Sequence, residues 1–144
     1  YNGVNISQEI RTIEIAETAS KLAKKESVRA ALLQLQRQQL TDKGLVADGR
    51  DMGTIVFPQA TIKFFLIAEL KARASRRYKE LRSTNKNVSI SSLIESIELR
   101  DKRDASRDHS PVEPALDAII VDTTDITLDE VVTFCKKKID SIIK

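Results

Sequence analysis

The chain holds one cysteine, one histidine and no tryptophan in 144 residues, and each scarcity removes a class of function. Cys135 alone cannot close an internal disulfide, which points to a reducing cytoplasm. It lies far from His109 in sequence, so no metal site is expected, and no serine–histidine–acid arrangement is visible either. Aromatic residues make up 4% of the chain, too few for base-stacking platforms on single-stranded nucleic acid. No apolar run approaches the roughly 18 residues that a membrane span needs, and no signal peptide opens the chain. Nor is there a strong charge of one sign. The net +3 is mild, and Lys136, Lys137 and Lys138 read as the charged last turns of a helix.

What is present is a composition for one core, with 41% hydrophobic and 31% charged residues. The stretch Gly44-Leu-Val-Ala-Asp-Gly-Arg-Asp-Met-Gly-Thr54 stands out. Its apolar run at 45–47 stops at Asp48 and gives way to a loop with Gly49, Arg50, Asp51 and Gly53. A buried parallel strand delivering a functional loop at its carboxyl end has this pattern, and open α/β sheets bind ligands there. Gly49 and Gly53 would allow close backbone approach or positive φ.

The remaining pattern alternates strand and helix. Asn2-Gly3 is a turn signal at the end of a strand or hairpin over 1–6. Ser7 and Thr12 are candidate caps for a helix whose inner stripe is Ile13, Ala16, Ser20 and Ala23, which leaves Ser20 as a hydroxyl on an apolar face. Ser27 would cap a second helix with a buried row of Val28, Ala31, Leu32 and Leu35, and Arg29 beside it. Residues 34–39 are polar and exposed, and 41–44 turn the chain into the central strand. A second buried strand is expected over 62–67, then a basic helix over 69–81 in which Arg73 and Arg77 share a side with Arg76 as neighbour. Residues 83–89 have loop composition. Ser89 begins a helix with core positions Ile90, Leu93, Ile94 and Ile97. A third strand over 118–121 precedes a last helix, with a Thr127/Glu130 capping box and a core row of Leu128, Val132, Cys135, Ile139 and Ile142. This order predicts an α/β fold with a parallel sheet and crossover helices.

The helix that starts at Ser89 changes character along its inner stripe, which continues into Arg100, Asp101, Asp104, Arg107 and Asp108, with Arg103 alongside. Burying such groups unpaired would cost several kcal/mol. They therefore pair with one another, bind a ligand, or both. Arginine forks fit phosphate in a bidentate manner, and aspartates accept from hydroxyls or an exocyclic amine. Two such clusters meeting at the carboxyl side of a sheet suit a nucleotide, and positioned arginines suit transfer of a phosphoryl group.

Five blocks, in order, resemble bacterial-type cytidylate kinases: Ser7-x-Glu9-Ile10-Arg11-Thr12, Ala47-Asp48-Gly49-Arg50-Asp51-Met52-Gly53, Val56-Phe57-Pro58, Arg100-Asp101-x-Arg103-Asp104 and Pro111-x-x-Pro114-Ala115. The resemblance covers essentially the whole chain. It implies a P-loop nucleoside monophosphate kinase fold and phosphoryl transfer from ATP, with Mg2+, to CMP or dCMP. By position it implies that Ser20, Arg29 and Asp51 read the cytosine, that Arg100 and Asp104 contact the sugar, and that Arg50 and Arg107 contact the acceptor phosphate. Arg50, Arg107, Arg76 and Arg103 are the implied catalytic arginines, with Arg76 and Arg77 at the start of a lid over ATP. The chain then divides, within one domain, into the end of the monophosphate-binding insert and base-reading helices (1–40), core strands and acceptor loop (41–68), lid and contacting helix (69–108), and last strand and helix (109–144).

One block of that family is missing. Its phosphate-binding loop has the form GxxxxGK[ST], and none of the glycines here, Gly3, Gly44, Gly49 and Gly53, begins one. The expected sheet is then incomplete without an amino-terminal strand between 45–48 and 62–67. This chain is expected to be the carboxyl-terminal part of a longer kinase, inactive or nearly so alone, with no membrane or nucleic-acid partner. The alternatives are a kinase of another pyrimidine monophosphate such as UMP and a non-catalytic basic module that binds nucleic acid.

Overall fold

A computed structural model describes residues 2–7, 9–82, 88–106 and 112–143. Caps read from the sequence set several helix starts. Thr12 accepts from the Ile15 N–H to open α1 (Ile13–Leu22), and Ser89 accepts from the Ser92 N–H to open α4 (Ile90–Ala105). Ser27 does not cap its helix. α2 (Glu26–Arg37) begins two residues earlier than that cap would set, with Lys25 at the cap position and no side-chain bond there. Its expected buried row is also corrected: Val28 and Leu33 are half-buried, while Ala31, Leu32 and Leu35 face solvent. α3 (Leu70–Arg82) runs close to the expected basic helix.

β1 (Phe64–Ile67) and β2 (Ile119–Asp122) are parallel, with Phe64 opposite Ile119 and Ile67 opposite Asp122. The chain between them holds α3 and α4, as a parallel connection requires. The expected strand at 45–48 is not formed. Those residues carry no ladder, and Val46 is 97% exposed. A strand exists by pairing, and no strand lies beside 45–48 among the described residues. For the same reason β1 has one neighbour, and Leu66 and Ile120 are exposed rather than buried. Residues 2–6 form no strand either; Asn2 and Gly3 make a turn with φ of 48° and 80°. Positive φ occurs at Gly44 (86°) and not at Gly49 or Gly53.

The core sits where α1, α3 and α4 meet. Ala74, Leu81 and Leu93 are buried there, and Ile13, Tyr78, Ile94 and Ile97 pack against them. Elsewhere the apolar surface is poorly covered. The accessible surface is 11,067 Å², against roughly 7,400 Å² for a compact chain of this mass. α5 (Leu128–Ile142) has no buried residue; Val131, Cys135 and Ile139 are half-buried, whereas Leu128, Val132 and Ile142 of its expected row are exposed. Lys63 ties the sheet to the neighbouring loops, donating to the Pro58 carbonyl at 2.7 Å and to the Asp117 carboxylate at 2.8 and 2.9 Å. The Lys63 ammonium holds the Asp117 carboxyl below its ordinary value. Among the described residues no helix is long and apolar enough to cross a membrane.

The capping box of α5 forms as its sequence predicts, with Thr127 Oγ1 accepting from the Glu130 N–H and the Thr127 N–H donating to Glu130 Oε2 at 2.7 Å. Those bonds from Thr127, the backbone one first, hold the Glu130 carboxyl below its ordinary value. A depressed folded-state value means stabilisation that is complete above the ordinary carboxylate range and lost as pH falls through it. Thr127→Ala is expected to cost about 1 kcal/mol near neutral pH. Urea unfolding checks this, and the gap between variant and parent narrows in acid.

Candidate functional site

The loop after residue 48 folds into a single π-type turn, Met52–Val56. Such turns are rare and often mark function. The Asp51 carbonyl accepts from the Ile55 and Val56 N–H groups at 2.9 and 3.2 Å, and the Met52 carbonyl accepts from Phe57 N–H at 2.7 Å. Gly53 has a packing reason to be glycine: a Cβ there would come within 3.2 Å of the Lys63 stem, which passes against the turn. At Gly49 a Cβ would meet the flexible Met52 side chain at 2.8 Å.

Arg50 and Asp51, adjacent in the chain, engage different elements. Asp51, 7% exposed, takes an ion pair from Arg29 on α2. Arg50 reaches α4, with Nη1 2.5 Å from Asp104 Oδ2 and 3.5 Å from Asp101 Oδ1. Asp104 is 1% exposed and also has Arg100 Nε at 3.8 Å. Asp101 bridges to α3 through Arg73 Nη1 at 2.7 Å. The charged end of α4 is thus paired mainly across elements, not only along its own helix. Ser20, 4% exposed, does not bond back to its helix but accepts from Arg103 Nη1 at 3.0 Å, joining α1 to α4.

Between α1, α3, α4 and the loop that carries Arg50 lies an open cleft of about 380 Å³, whose wall includes Arg50, Arg73, Arg77, Arg100 and Arg103. Ile13, Leu93 and Ile97 form its apolar side. A second cleft, of about 500 Å³, lies between α2 and the turn and includes Arg29 and Asp51 beside Val28, Leu33 and Val56. Both volumes are in the range of small-molecule sites. The arginine-rich wall fits an anion, while the Arg29–Asp51 pair offers a donor fork and a carboxylate acceptor to one planar ligand edge.

Of the residues singled out in the sequence, Ser20, Arg29, Arg50, Asp51, Arg100, Arg103 and Asp104 are therefore linked around these two clefts. Arg76 is held elsewhere. It donates to Thr123 Oγ1 at 3.0 Å and to the Thr123 carbonyl, while Thr123 Oγ1 donates to the Ile67 carbonyl, so Arg76 ties α3 to the ends of both strands. Arg107 lies outside the described residues, as do Asp108, His109, Pro111 and 83–87 of the expected loop; α4 itself ends at Ala105. Two further members of this site, Arg73 and Asp101, have no role that the sequence alone assigns. The i, i+4 spacing of Arg73 and Arg77 was the available signal, since it places both on one side of α3.

The family model described as "Cytidylate kinase" matches residues 1–141. Among curated relatives, the cytidylate kinase of Pasteurella multocida is 48% identical over 131 residues, covering 91% of this chain and 58% of the relative. Cytidylate kinase 1 of Haemophilus influenzae is 47% identical over 130 residues, covering 90% and 56%. The cytidylate kinase of Fervidobacterium nodosum is 45% identical over 143 residues, covering 99% and 64%. The chain thus spans less than two thirds of the length of these relatives.

Proposed function

The chain belongs to the cytidylate kinase family, and from that premise we propose that it carries the acceptor site of an enzyme that moves a phosphoryl group from ATP to CMP or dCMP, giving CDP or dCDP. The observation that carries this reading is the pairing of adjacent residues into adjoining clefts, Asp51 with Arg29 and Arg50 with Asp104. Cytosine offers an exocyclic amine and an unprotonated ring nitrogen. A carboxylate accepts from the first and a guanidinium donates to the second. Uracil presents a carbonyl and an N–H instead, so Asp51 would face another acceptor. In this reading Ser20, Arg29 and Asp51 recognise the base, Arg100 and Asp104 the sugar, and Arg50 and Arg107 the acceptor phosphate. Arg103 reaches the same wall and serves the transfer, whereas Arg76, which the resemblance also implies, is seated at Thr123 away from both clefts.

The donor is ATP with Mg2+, and the described residues do not fit its phosphate end. No GxxxxGK[ST] loop occurs in the sequence, and no three His, Cys, Asp or Glu side chains gather for a metal ion among the described residues. We therefore assign the donor phosphates and their ion to a P-loop segment beyond these 144 residues. The unpaired run at 45–47 and the one-sided pairing of β1 support a strand seated between them. We place the enzyme in the cytoplasm, the compartment of a chain with one unpaired cysteine.

Phosphorylation of CMP, dCMP and UMP by the complete polypeptide, with ATP and Mg2+, tests this reading. CMP or dCMP is expected to be used with a kcat/KM at least about a hundredfold above that of UMP. Equal use of UMP would point to another pyrimidine kinase. Absence of transfer, with steeply salt-dependent RNA binding, would point to a nucleic-acid module.

A further inference from the structure

Arg37 closes α2, in a polar stretch that the sequence marks only as exposed, yet its side chain does not simply enter water. Its Nε donates to the Val56 carbonyl and its Nη2 to the Ile55 carbonyl, each at 2.9 Å. These are the last two carbonyls of the π-type turn, which has no further helical N–H groups to satisfy them. A cation in the last turn of a helix is ordinarily explained by its own helix dipole. Here the guanidinium fork instead spans to a different element, eighteen and nineteen residues along the chain.

The consequence lies in which peptide groups are joined. The Ile55 carbonyl that accepts from Arg37 shares a peptide unit with the Val56 N–H, which donates to the Asp51 carbonyl. The Val56 carbonyl shares one with the Phe57 N–H, which donates to the Met52 carbonyl. Two parallel hydrogen-bonded chains therefore run from one guanidinium, each through a single peptide, to residues 51 and 52. Such chains polarise and strengthen one another. At the other end of the turn, the Asp51 carboxylate is held by Arg29, eight residues earlier on the same helix. Eight residues of helix span about 12 Å. One rigid helix therefore grips the turn at both ends, with an arginine at each.

We propose that Arg37 is a positioning residue for recognition of the acceptor base: it holds the Met52–Val56 turn in register so that Asp51 meets the cytosine edge. This rests on the function proposed above. Arg37 touches no reacting group, so its loss should affect the reading of the base more than the handling of ATP. Lysine in its place keeps the charge and enough donors but loses the planar fork that matches the two carbonyls, and so holds the two chains less well.

The test compares the parent, Arg37→Ala and Arg37→Lys in the complete enzyme, by steady-state kinetics and by amide hydrogen exchange. The alanine variant is expected to raise the KM for CMP about tenfold, to narrow the preference for CMP over UMP by a similar factor, and to leave the KM for ATP within about twofold. Arg37→Lys is expected to recover only part of each change and serves if the alanine variant does not fold. The amides of Val56 and Phe57 exchange faster in both. An unchanged KM for CMP, or equal losses for CMP and ATP, would overturn the positioning role, and unchanged exchange would overturn the clamp itself. A parent enzyme that ignores CMP would instead overturn the proposed function, while the exchange of these amides still judges the clamp.

Discussion

In the complete enzyme, on the proposed role of Asp51 in reading the base, Asp51→Ala is expected to raise the KM for CMP about a hundredfold, while the KM for ATP changes little. A hydrogen bond to a charged group contributes about 1.5–3 kcal/mol, and about 1.4 kcal/mol is a factor of ten. Asp51 is 7% exposed, so little water can enter to replace it. The substitution also strips Arg29 of its carboxylate. A guanidinium left half-buried without that partner is drawn toward other acceptors and away from the base. Asp51→Asn separates the two consequences. Its amide keeps an oxygen for Arg29 and can turn an N–H₂ toward the ligand, which suits the uracil carbonyl better than the cytosine amine. The asparagine variant is therefore expected to lose CMP and to gain relative preference for UMP. Competitive turnover of CMP and UMP checks this, and equal losses for CMP and ATP in the alanine variant would remove Asp51 from base recognition.

Asp104→Ala is expected to cause the largest loss of stability, about 3 kcal/mol, because removing one partner of a buried ion pair strands the others. Asp104 is 1% exposed and faces Arg50 at 2.5 Å and Arg100 at 3.8 Å. Arg103 and Arg73 line the same cleft. Without Asp104, the acids near this wall among the described residues are Asp101, which already serves Arg50 and Arg73, and Glu17 on the cleft lining. Arg50 is a third exposed and can partly rehydrate, which limits the cost. Asp104→Asn retains an acceptor and is expected to lose less. Urea unfolding decides, and an alanine variant as stable as its parent would mean that the arginines tolerate one another without this carboxylate. The structural loss and any loss of CMP affinity are separated by measuring both below the unfolding transition.

Much of the fold was legible where the signal is local. Thr12, Ser89 and the Thr127/Glu130 box each satisfy N–H groups within three residues, so their sequence positions suffice to start α1, α4 and α5. The stripe of α4, apolar at Leu93, Ile94 and Ile97 and charged beyond, follows from helical spacing alone, although Ile90, expected in the same row, is exposed. β1 and β2 were visible as short apolar runs. The cap expected at Ser27 lies two residues too late: α2 starts at Glu26, with Lys25 at the cap position and no side-chain cap bond, so no local signal marked its start. The run at 45–47 was indistinguishable from β1 in composition, and only the presence or absence of a neighbour tells them apart.

The site divides in the same way. Which residues carry charge in helical register, Arg100 with Asp104 and Arg73 with Arg77, was set by the sequence, because side chains three and four apart must lie on one face. Whom they meet was not. Ser20 finds Arg103 across 83 positions, Arg76 finds Thr123 across 47, and Arg37 finds two carbonyls of a turn that no local pattern announces. By itself, then, the sequence determined the helices, the chemistry available on each face, and the family. Tertiary structure alone decided the partners, since a hydrogen bond between distant residues depends on how whole elements pack, and packing is a property of the assembled chain rather than of any short stretch of it.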